Sequence, residues 1–312
     1  MEYLKDESAK LQKILFTGLD SAGKTSIIFA LKREFSKIAN IEPTRGAQRL
    51  VFQYLGRNIS EWDLGGQIAY RISYLKSPNK YFDKTEIAIY VIDVRDRERI
   101  GESLSYLRDV IKQFKTLEIE PPIYVFFHKC DPNLAKEDQD DLDKFLLSLQ
   151  DKIKNSMEYK KFYFYRTSIY YLSSIITAIS EIFLTLYPKA NLIQKTIETF
   201  ASKFKAEGVQ IIDDNSLIIG SYYNNAAVKD ILNQTTPYFL SLNDSFLYSE
   251  FIYEKSEEKM IIQRFGRFFL FKPFTIKENG PPYYLLAIRE DPDIKRDEYL
   301  TLVNLLKEIL YK

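Results

Sequence analysis

Two glycines, a lysine and a threonine stand close together between an apolar run and an amphipathic run near the start of the chain. Residues 18–25 read GLDSAGKT and fit the pattern G-x-x-x-x-G-K-[ST] through Gly18, Gly23, Lys24 and Thr25. Glycines allow backbone N–H groups to curl around a phosphate, the lysine reaches the β and γ oxygens, and the threonine hydroxyl can bind Mg²⁺. The helix that follows points its positive end at the same anion. The stretch therefore predicts a phosphate-binding loop rather than a plain glycine-rich turn.

The segment WDLGGQ, residues 62–67, supplies what a bound nucleoside triphosphate would need further along the chain. Asp63, at the end of an expected strand, can hold the Mg²⁺ shell through water. Gly66 allows a backbone N–H to approach the γ-phosphate, and Gln67 can orient an attacking water. A plain Gly-Gly turn is the alternative, and the preceding phosphate loop argues against it.

The polar segment IEPTRGAQR lies between these two motifs. Its Thr44 could offer a hydroxyl to Mg²⁺ and a backbone N–H to the γ-phosphate, so that the segment would be ordered only while that phosphate is present. The neighbouring Arg45 could be an arginine finger in cis, but an exposed surface arginine is favoured, and Arg45 is left out of the site.

Base selection is expected at the end of the strand PPIYVFFHK, where the sequence continues Cys130-Asp131. Asp131 can accept two hydrogen bonds from N1–H and the exocyclic amine of guanine, a donor pair that adenine lacks. The stem of Lys129 can lie along the base, and the ring of His128 can bond the base or the phosphate loop. Ser168 and Ile169, which end a later strand, place backbone N–H groups where the guanine carbonyl would lie.

The elements that must position these residues alternate buried strands with helices. Fully apolar strands such as EIAIYVID, separated by helices such as ESLSYLRDVIKQF, indicate a mostly parallel sheet covered on both faces. RLVFQYL and ISEWDL form an expected hairpin. Ligands of such sheets lie beyond the carboxyl ends of the strands, where all of the motifs above fall.

The order changes after Tyr187-Pro188, because proline cannot continue a helix. We expect residues 1–188 to form the nucleotide-binding domain and 189–312 a smaller α+β domain, an antiparallel sheet with helices on one side. Its helices are expected over NLIQKTIETFASKFKA, residues 228–240 and DEYLTLVNLLKEIL. Its strands are expected among VQIID, SLIIGSYY, FLYSEFIY, KMIIQRF, RFFLFKPF and YYLLAI, and some of these pieces must be one bent strand or a loop.

Composition excludes several classes of protein. The 44 Lys and Arg balance 43 Asp and Glu, so no net field attracts nucleic acid or an anionic membrane. The single Cys130 excludes a disulfide framework and suits a cytoplasmic protein.

Membrane-anchoring signals are also missing from the sequence. It has no run of roughly 20 apolar residues, no apolar signal core and no C-terminal cysteine that could be prenylated. The second residue is Glu2, where myristoylation would require glycine. No direct membrane anchor is therefore expected.

Taken together, GLDSAGKT, PT, WDLGGQ, HKCD and TSI resemble the five G-motifs of Ras-superfamily small GTPases. GLDSAGKTS, WDLGGQ and DVRDRER resemble the Arf branch, whereas HKCD, RTSI and the second domain resemble the Rag/Gtr branch. The resemblance implies an α/β P-loop G domain, followed by an α+β roadblock/longin-like domain.

By this resemblance each motif residue receives a role. Phosphates would be bound by Gly18, Asp20, Ser21, Ala22, Gly23, Lys24, Thr25, Ser26 and Gly66, Mg²⁺ by Thr25, Thr44 and Asp63, and the base by His128, Lys129, Asp131, Ser168 and Ile169. Gln67 would be the catalytic residue.

The implied function is a guanine-nucleotide switch that binds GTP or GDP and hydrolyses GTP slowly with Mg²⁺. The resemblance also implies a dimer through the second domain, homo- or heteromeric, that meets GTPase-activating and exchange factors. Its role would lie in nutrient signalling or membrane-trafficking control, with a partner recruiting it from the cytoplasm. Two alternatives remain: a GTP- or GDP-bound scaffold that does not hydrolyse, and a small-molecule P-loop kinase, against which HKCD and TSI argue.

Overall fold

The computed structural model describes residues 11–55, 57–132, 136–248, 259–278 and 280–311. Contacts divide the chain after Tyr171 into two compact units. From the sequence, the nucleotide-binding domain was predicted to end at residue 188, one helix after this division. That boundary stays a prediction.

The first unit is built on a six-stranded sheet in the order β2-β3-β1-β4-β5-β6. β2 pairs antiparallel with β3, and the other neighbours are parallel, as the alternating strands and helices predict. The strands are β1 (Gln12–Gly18), β2 (Ala47–Tyr54), β3 (Arg57–Leu64), β4 (Thr85–Asp93), β5 (Ile123–His128) and β6 (Phe162–Thr167). Every residue of β1 and β5 is buried, which explains their continuous apolar character.

The helices of the first unit are α1 (Lys24–Leu31), α2 (Phe35–Ile38), α3 (Ile68–Lys76), α4 (Pro78–Tyr81), α5 (Ile100–Thr116) and α6 (Lys136–Ser156). The longer helices follow strands, and two short helices, α2 and α4, follow α1 and α3. α5 shows the helical spacing clearly, since Leu104, Leu107, Ile111 and Phe114 are all buried. α3 and α4 were not predicted from the sequence.

The second unit contains a five-stranded antiparallel sheet in the order β8-β7-β11-β10-β9. Its strands are β7 (Gly208–Ile212), β8 (Ile218–Tyr223), β9 (Met260–Arg264), β10 (Arg267–Thr275) and β11 (Pro282–Arg289). Its helices are α7 (Leu172–Leu184), α8 (Ala190–Phe204), α9 (Ala226–Tyr248) and α10 (Arg296–Tyr311). The α+β class predicted for this part of the chain is confirmed.

Helices cover both faces of this sheet, and the expectation of helices on one side is wrong. A Cβ added to Gly208 would meet Val228 and Leu232 of α9, whereas one added to Gly220 would meet Ile193 and Ile197 of α8. Gly208 and Gly220 belong to neighbouring strands but face opposite sides, because side chains alternate along a strand.

The strand expected over FLYSEFIY is also wrong where the structure describes it. α9 continues through Phe246 to Tyr248 and accommodates Pro237 inside the helix, and the rest of that stretch, with Phe251, lies outside the described residues. Although α9 has 23 residues, none of the helices in the described part of the chain is both long and apolar enough to cross a membrane.

Candidate functional site

The carboxyl ends of the parallel strands surround a cleft of about 380 Å³ in the first unit. Thirteen of the residues assigned to the site by sequence line it: Asp20, Ser21, Gly23, Lys24, Thr25, Ser26, Thr44, Gly66, Gln67, His128, Lys129, Asp131 and Ile169. Chain order and parallel pairing together bring these distant segments to one edge of the sheet.

Gly18, Ala22, Asp63 and Ser168 lie behind that lining. An added Cβ at Gly18 would sit 2.3 Å from the carbonyl oxygen of Val91, so only glycine allows β1 to end so close to β4. Ala22 is buried. Asp63 and Ser168 reach the cleft through hydrogen bonds to Thr25 and Asp131.

The loop between β1 and α1 places a glycine at the start of a helix. Gly23 has φ +96° and leads directly into the first turn of α1, and glycine has no side chain that could cap the N–H groups there. Lys24 is buried, and its Nζ donates to the carbonyl oxygens of Gly18 (3.2 Å) and Leu19 (2.7 Å). Burial lowers the pKa of Lys24 to about 8, with Asp63 and Asp20 opposing the shift. An anion beside this amine would favour its charged form.

Three side-chain oxygens meet beside this loop. Thr25 Oγ1 lies 2.7 Å from both Thr44 Oγ1 and Asp63 Oδ2, and Thr44 Oγ1 lies 3.3 Å from the same carboxylate oxygen. The other oxygen, Asp63 Oδ1, is buried and has no hydrogen-bond partner among the described residues. Hydroxyl and carboxylate oxygens are the ligands that Mg²⁺ prefers, so this donor set fits the cation.

Gly65 and Gly66, which follow β3, allow the chain to pass close to the loop between β1 and α1 and to the segment that contains Thr44. A Cβ at Gly66 would lie 2.1 Å from the backbone nitrogen of Asp20, and one at Gly65 would lie 2.5 Å from the carbonyl oxygen of Thr44. Gly65 N–H also donates to the carbonyl oxygen of Gly46 at 2.9 Å. The next residue, Gln67, is exposed at the cleft.

The opposite end of the cleft is formed by the ends of β5 and β6. Ser168 Oγ donates to Asp131 Oδ1 at 2.6 Å, and Lys129 Nζ donates to the carbonyl oxygen of Ser21 at 2.9 Å. His128 is buried, its Nδ1 lies 2.9 Å from Thr167 Oγ1, and its Cδ2 is the nearest atom to a Cβ added at Gly23. Burial lowers the pKa of His128 to about 4, with a further contribution from Lys129, so the ring is neutral at physiological pH.

Sequence reasoning missed three charged residues that follow β4 or end it. Asp93 Oδ2 lies 2.5 Å from Lys129 Nζ, Arg95 Nη1 lies 2.9 Å from Asp131 Oδ2, and Arg99 Nη2 lies 2.7 Å from Asp20 Oδ1. The hydrogen bond from Arg99 holds the pKa of Asp20 below its ordinary value. The sequence feature that could have identified these three residues is the position of DVRDRER at the carboxyl end of a strand. Arg45, left out of the site from sequence, is exposed and lines a neighbouring hollow.

Comparison with known proteins identifies related sequences along most of the chain. Residues 13–252 match the family model described as the Gtr1/RagA G protein conserved region. The ADP-ribosylation factor-like protein 3 of Chlamydomonas reinhardtii is 39% identical over 119 residues, which cover 38% of this chain and 63% of that protein. The ADP-ribosylation factor F of Dictyostelium discoideum is 31% identical over 119 residues, or 38% of this chain and 60% of that protein. This chain therefore spans less than two thirds of the length of either relative.

Among solved structures, the chain is similar to the Arl6 (BBS3) small GTPase of Trypanosoma brucei with the bound nucleotide analogue GppNp. The sequence identity is 22% and the TM-score 0.42, and the match covers 56% of this chain and 97% of that one.

Proposed function

Because the chain belongs to the Gtr1/RagA family of G proteins, we propose that it is a molecular switch that binds GTP and GDP and slowly hydrolyses GTP. The observation that carries this proposal is a single cleft with a phosphate loop and three hydroxyl and carboxylate oxygens at one end and Asp131 at the other. Such a cleft can hold the triphosphate and the base of one nucleotide together. The family excludes the small-molecule kinase.

Mg²⁺ would be held by Thr25 and Thr44, with Asp63 behind them. An ion held there would supply positive charge to offset the negative charge of the phosphate oxygens. Support comes from the unpartnered, buried Oδ1 of Asp63 and from the three oxygens gathered there. Asp63 also fixes both threonine hydroxyls, which orients them before the nucleotide enters.

Hydrolysis transfers the γ-phosphoryl group to water, which breaks the bond to the β–γ bridging oxygen and gives GDP and phosphate. Gln67 would orient the attacking water from its exposed position at the cleft, and the Gly66 N–H and Lys24 would hold the phosphate oxygens. An unassisted G protein of this kind turns over at around 10⁻⁴ to 10⁻² s⁻¹. The proposed reaction is therefore slow without an activating partner.

The conformational change would reside in residues 41–48. Thr44 contacts Thr25 and Asp63, and Gly46 is tied to Gly65, so this segment is joined to both phosphate-sensing motifs. Loss of the γ-phosphate would remove the ligand that Thr44 and Gly66 share. Release of the segment on hydrolysis would then change the surface that a regulator or effector reads.

Assembly is proposed through the second unit, with a second Rag-like subunit or another copy of the chain. β9 is an edge strand, and its Ile261 and Ile262 are 40% and 46% exposed. Ile231, Tyr238 and Leu242 of α9 follow helical spacing and are exposed as well. An edge strand with open backbone groups and exposed apolar side chains favours pairing with another chain. The proposed place of action is the cytoplasm, with recruitment to a membrane by a partner in nutrient signalling or trafficking control.

The experiment that tests guanine-nucleotide binding begins with mass spectrometry of the nucleotide carried by the purified chain. Fluorescent mantGDP, mantATP and mantXDP are then titrated into the parent and Asp131→Asn proteins. The parent should prefer guanine and the variant should prefer xanthine, because the substitution exchanges an acceptor for a donor. Each hydrogen bond to a charged acceptor contributes about 1.5–3 kcal/mol, so the preference should change at least about tenfold. Equal affinity of the parent for mantGDP and mantATP would contradict the proposal.

A further inference from the structure

Arg95 contacts the carboxylate that would recognise the base. It follows the end of β4 by two residues, and its Nη1 lies 2.9 Å from Asp131 Oδ2. The Arg95 side chain is 63% exposed, whereas that of Asp131 is 18% exposed. Both residues line the cleft, so the guanidinium approaches Asp131 from the region that a nucleotide would enter.

The chemistry of this contact resembles that of the base. A guanidinium is planar and presents neighbouring N–H donors to a carboxylate, and the N1–H and exocyclic amine of guanine do the same. Asp131 Oδ1 already accepts a hydrogen bond from Ser168 at 2.6 Å, and Arg95 holds Oδ2. A carboxylate oxygen can accept more than one hydrogen bond, but the guanidinium lies on the cleft side of Oδ2, where the N–H groups of guanine would approach, so the two compete for that oxygen.

The backbone keeps this arginine beside the base site. Arg95 N–H donates to Asp93 Oδ1 at 3.0 Å, and Asp93 Oδ2 lies 2.5 Å from Lys129 Nζ. One carboxylate therefore ties the loop that carries Arg95 to the segment that carries Asp131. The hydrogen bond to Asp93 holds only the backbone of Arg95, so its guanidinium can leave Asp131 while the loop stays in place.

We propose that Arg95 is an internal competitor of guanine for Asp131, so that nucleotide entry exchanges the arginine for the base. The proposal rests on the proposed guanine-nucleotide function of the cleft. It assigns Arg95 as a residue that tunes the rate of nucleotide association, in addition to the residues that contact the nucleotide.

The size of the effect follows from the exposure of the ion pair. Exposed ion pairs are weak, and a competitor of this strength closes the site for only part of the time. The apparent affinity is reduced by the fraction of closed sites. Arg95→Ala should therefore raise the association rate constant of mantGDP about two- to sixfold and leave its dissociation rate constant unchanged, because the competition acts on the free protein.

Stopped-flow fluorescence on the full chain tests this expectation with mantGDP at fixed Mg²⁺ and ionic strength. Arg97→Ala is the matched control, because Arg97 lies in the same loop, carries the same charge and pairs with Asp141 instead of Asp131. The control should not accelerate association. A second comparison adds Arg95→Ala to Asp131→Asn and measures mantXDP, where the arginine has lost its carboxylate partner and its removal should have no effect.

Two outcomes would overturn the proposal. Slower association or weaker binding in Arg95→Ala would mean that the arginine contacts the nucleotide, and a rate equal to that of the parent and of Arg97→Ala would mean that the ion pair does not compete. Failure of the proposed function is distinguishable, since the parent protein would then bind mantATP as tightly as mantGDP whatever residue occupies position 95.

Discussion

His128 should make the nucleotide-binding unit sensitive to acid, and its surroundings determine the size of the effect. It is the single histidine of the chain, it is 1% exposed, and its Nδ1 lies 2.9 Å from Thr167 Oγ1. Burial, with Lys129 nearby, lowers its pKa from 6.5 to about 4, although Asp93 and Asp131 oppose the shift. The perturbation is a fall in pH, compared between the parent chain and His128→Asn.

The sign follows from which state takes up the proton. Above pH 6.5 the ring is neutral in both the folded and the unfolded chain, so it contributes no pH dependence. Between pH 6.5 and 4 the unfolded chain binds a proton that the folded chain refuses, and the free energy of unfolding falls as the pH is lowered. The loss through this one group is about 2 kcal/mol at pH 5 and about 3 kcal/mol at pH 4. Asparagine does not titrate, so the variant lacks this loss.

Urea unfolding at pH 7, 6 and 5, after nucleotide removal, measures the effect. Trp62 is the single tryptophan and lies in β3, so its fluorescence reports the unit that contains His128. The stability difference between parent and variant should shift by about 2 kcal/mol in favour of the variant between pH 7 and pH 5. Any constant cost of the substitution cancels in this comparison. A difference that changes by less than about 0.5 kcal/mol would refute the reasoning, because the folded ring would then titrate normally.

Three further predictions concern proton linkage, chemistry and assembly. Burial, with Asp214 nearby, raises the pKa of Asp213 to about 7. The folded chain therefore keeps a proton on Asp213 that the unfolded chain releases, and the stability that this gives is lost as the pH rises through 7. Thermal unfolding of Asp213→Asn should show a gain over the parent of about 2–3 kcal/mol between pH 5 and pH 8, and a constant difference would argue against it. Gln67→Leu should bind mantGTP normally but cleave GTP about tenfold more slowly or worse in single turnover, whereas an unchanged rate would support the non-hydrolysing scaffold. Ile262→Lys on the β9 edge should lower the dimer fraction in light scattering, whereas Leu300→Lys, at an exposed position of α10, should not. Equal dimer fractions for the two variants would contradict an interface on β9.

The sequence alone predicted that the loop from Gly18 to Thr25 and the segment around Asp131 would lie at one edge of the sheet. The loop from Gly18 to Thr25 follows the apolar run ILF of β1, and Asp131 follows the apolar strand β5; apolar runs of this kind are typical of parallel strands that are covered on both faces. The carboxyl ends of β1 and β5 share one edge of the sheet, which is why Lys24 and Asp131 line the same cleft. Thr44 reaches this cleft from the segment that precedes β2. Local pattern was sufficient here because the glycines, the lysine and the threonine mark a tight turn between a strand and a helix, which is a feature of neighbouring residues alone.

Local pattern was not sufficient in the second unit. The segment that ends α9 is rich in aromatic residues, whose preference for strands competes with the helical spacing that precedes them, and Pro237 reads as a helix end. Packing overrides both signals, because Phe239 and Leu240 are buried in the core on that face of the sheet. The helices on the opposite face could not be assigned, since alternation along β7 and β8 does not say which helix covers which side.

Only the tertiary structure decided which charges meet around the base. Asp93 reaches Lys129 and Arg95 reaches Asp131 because β4 lies beside β5 in the sheet, 36 residues away in sequence in each case. A sequence does not distinguish one charged residue at a strand end from another, and a long, flexible side chain can reach several partners. The carboxylate with which an arginine pairs depends on distance and desolvation in the folded chain. The order of the strands in the sheet sets both of these quantities.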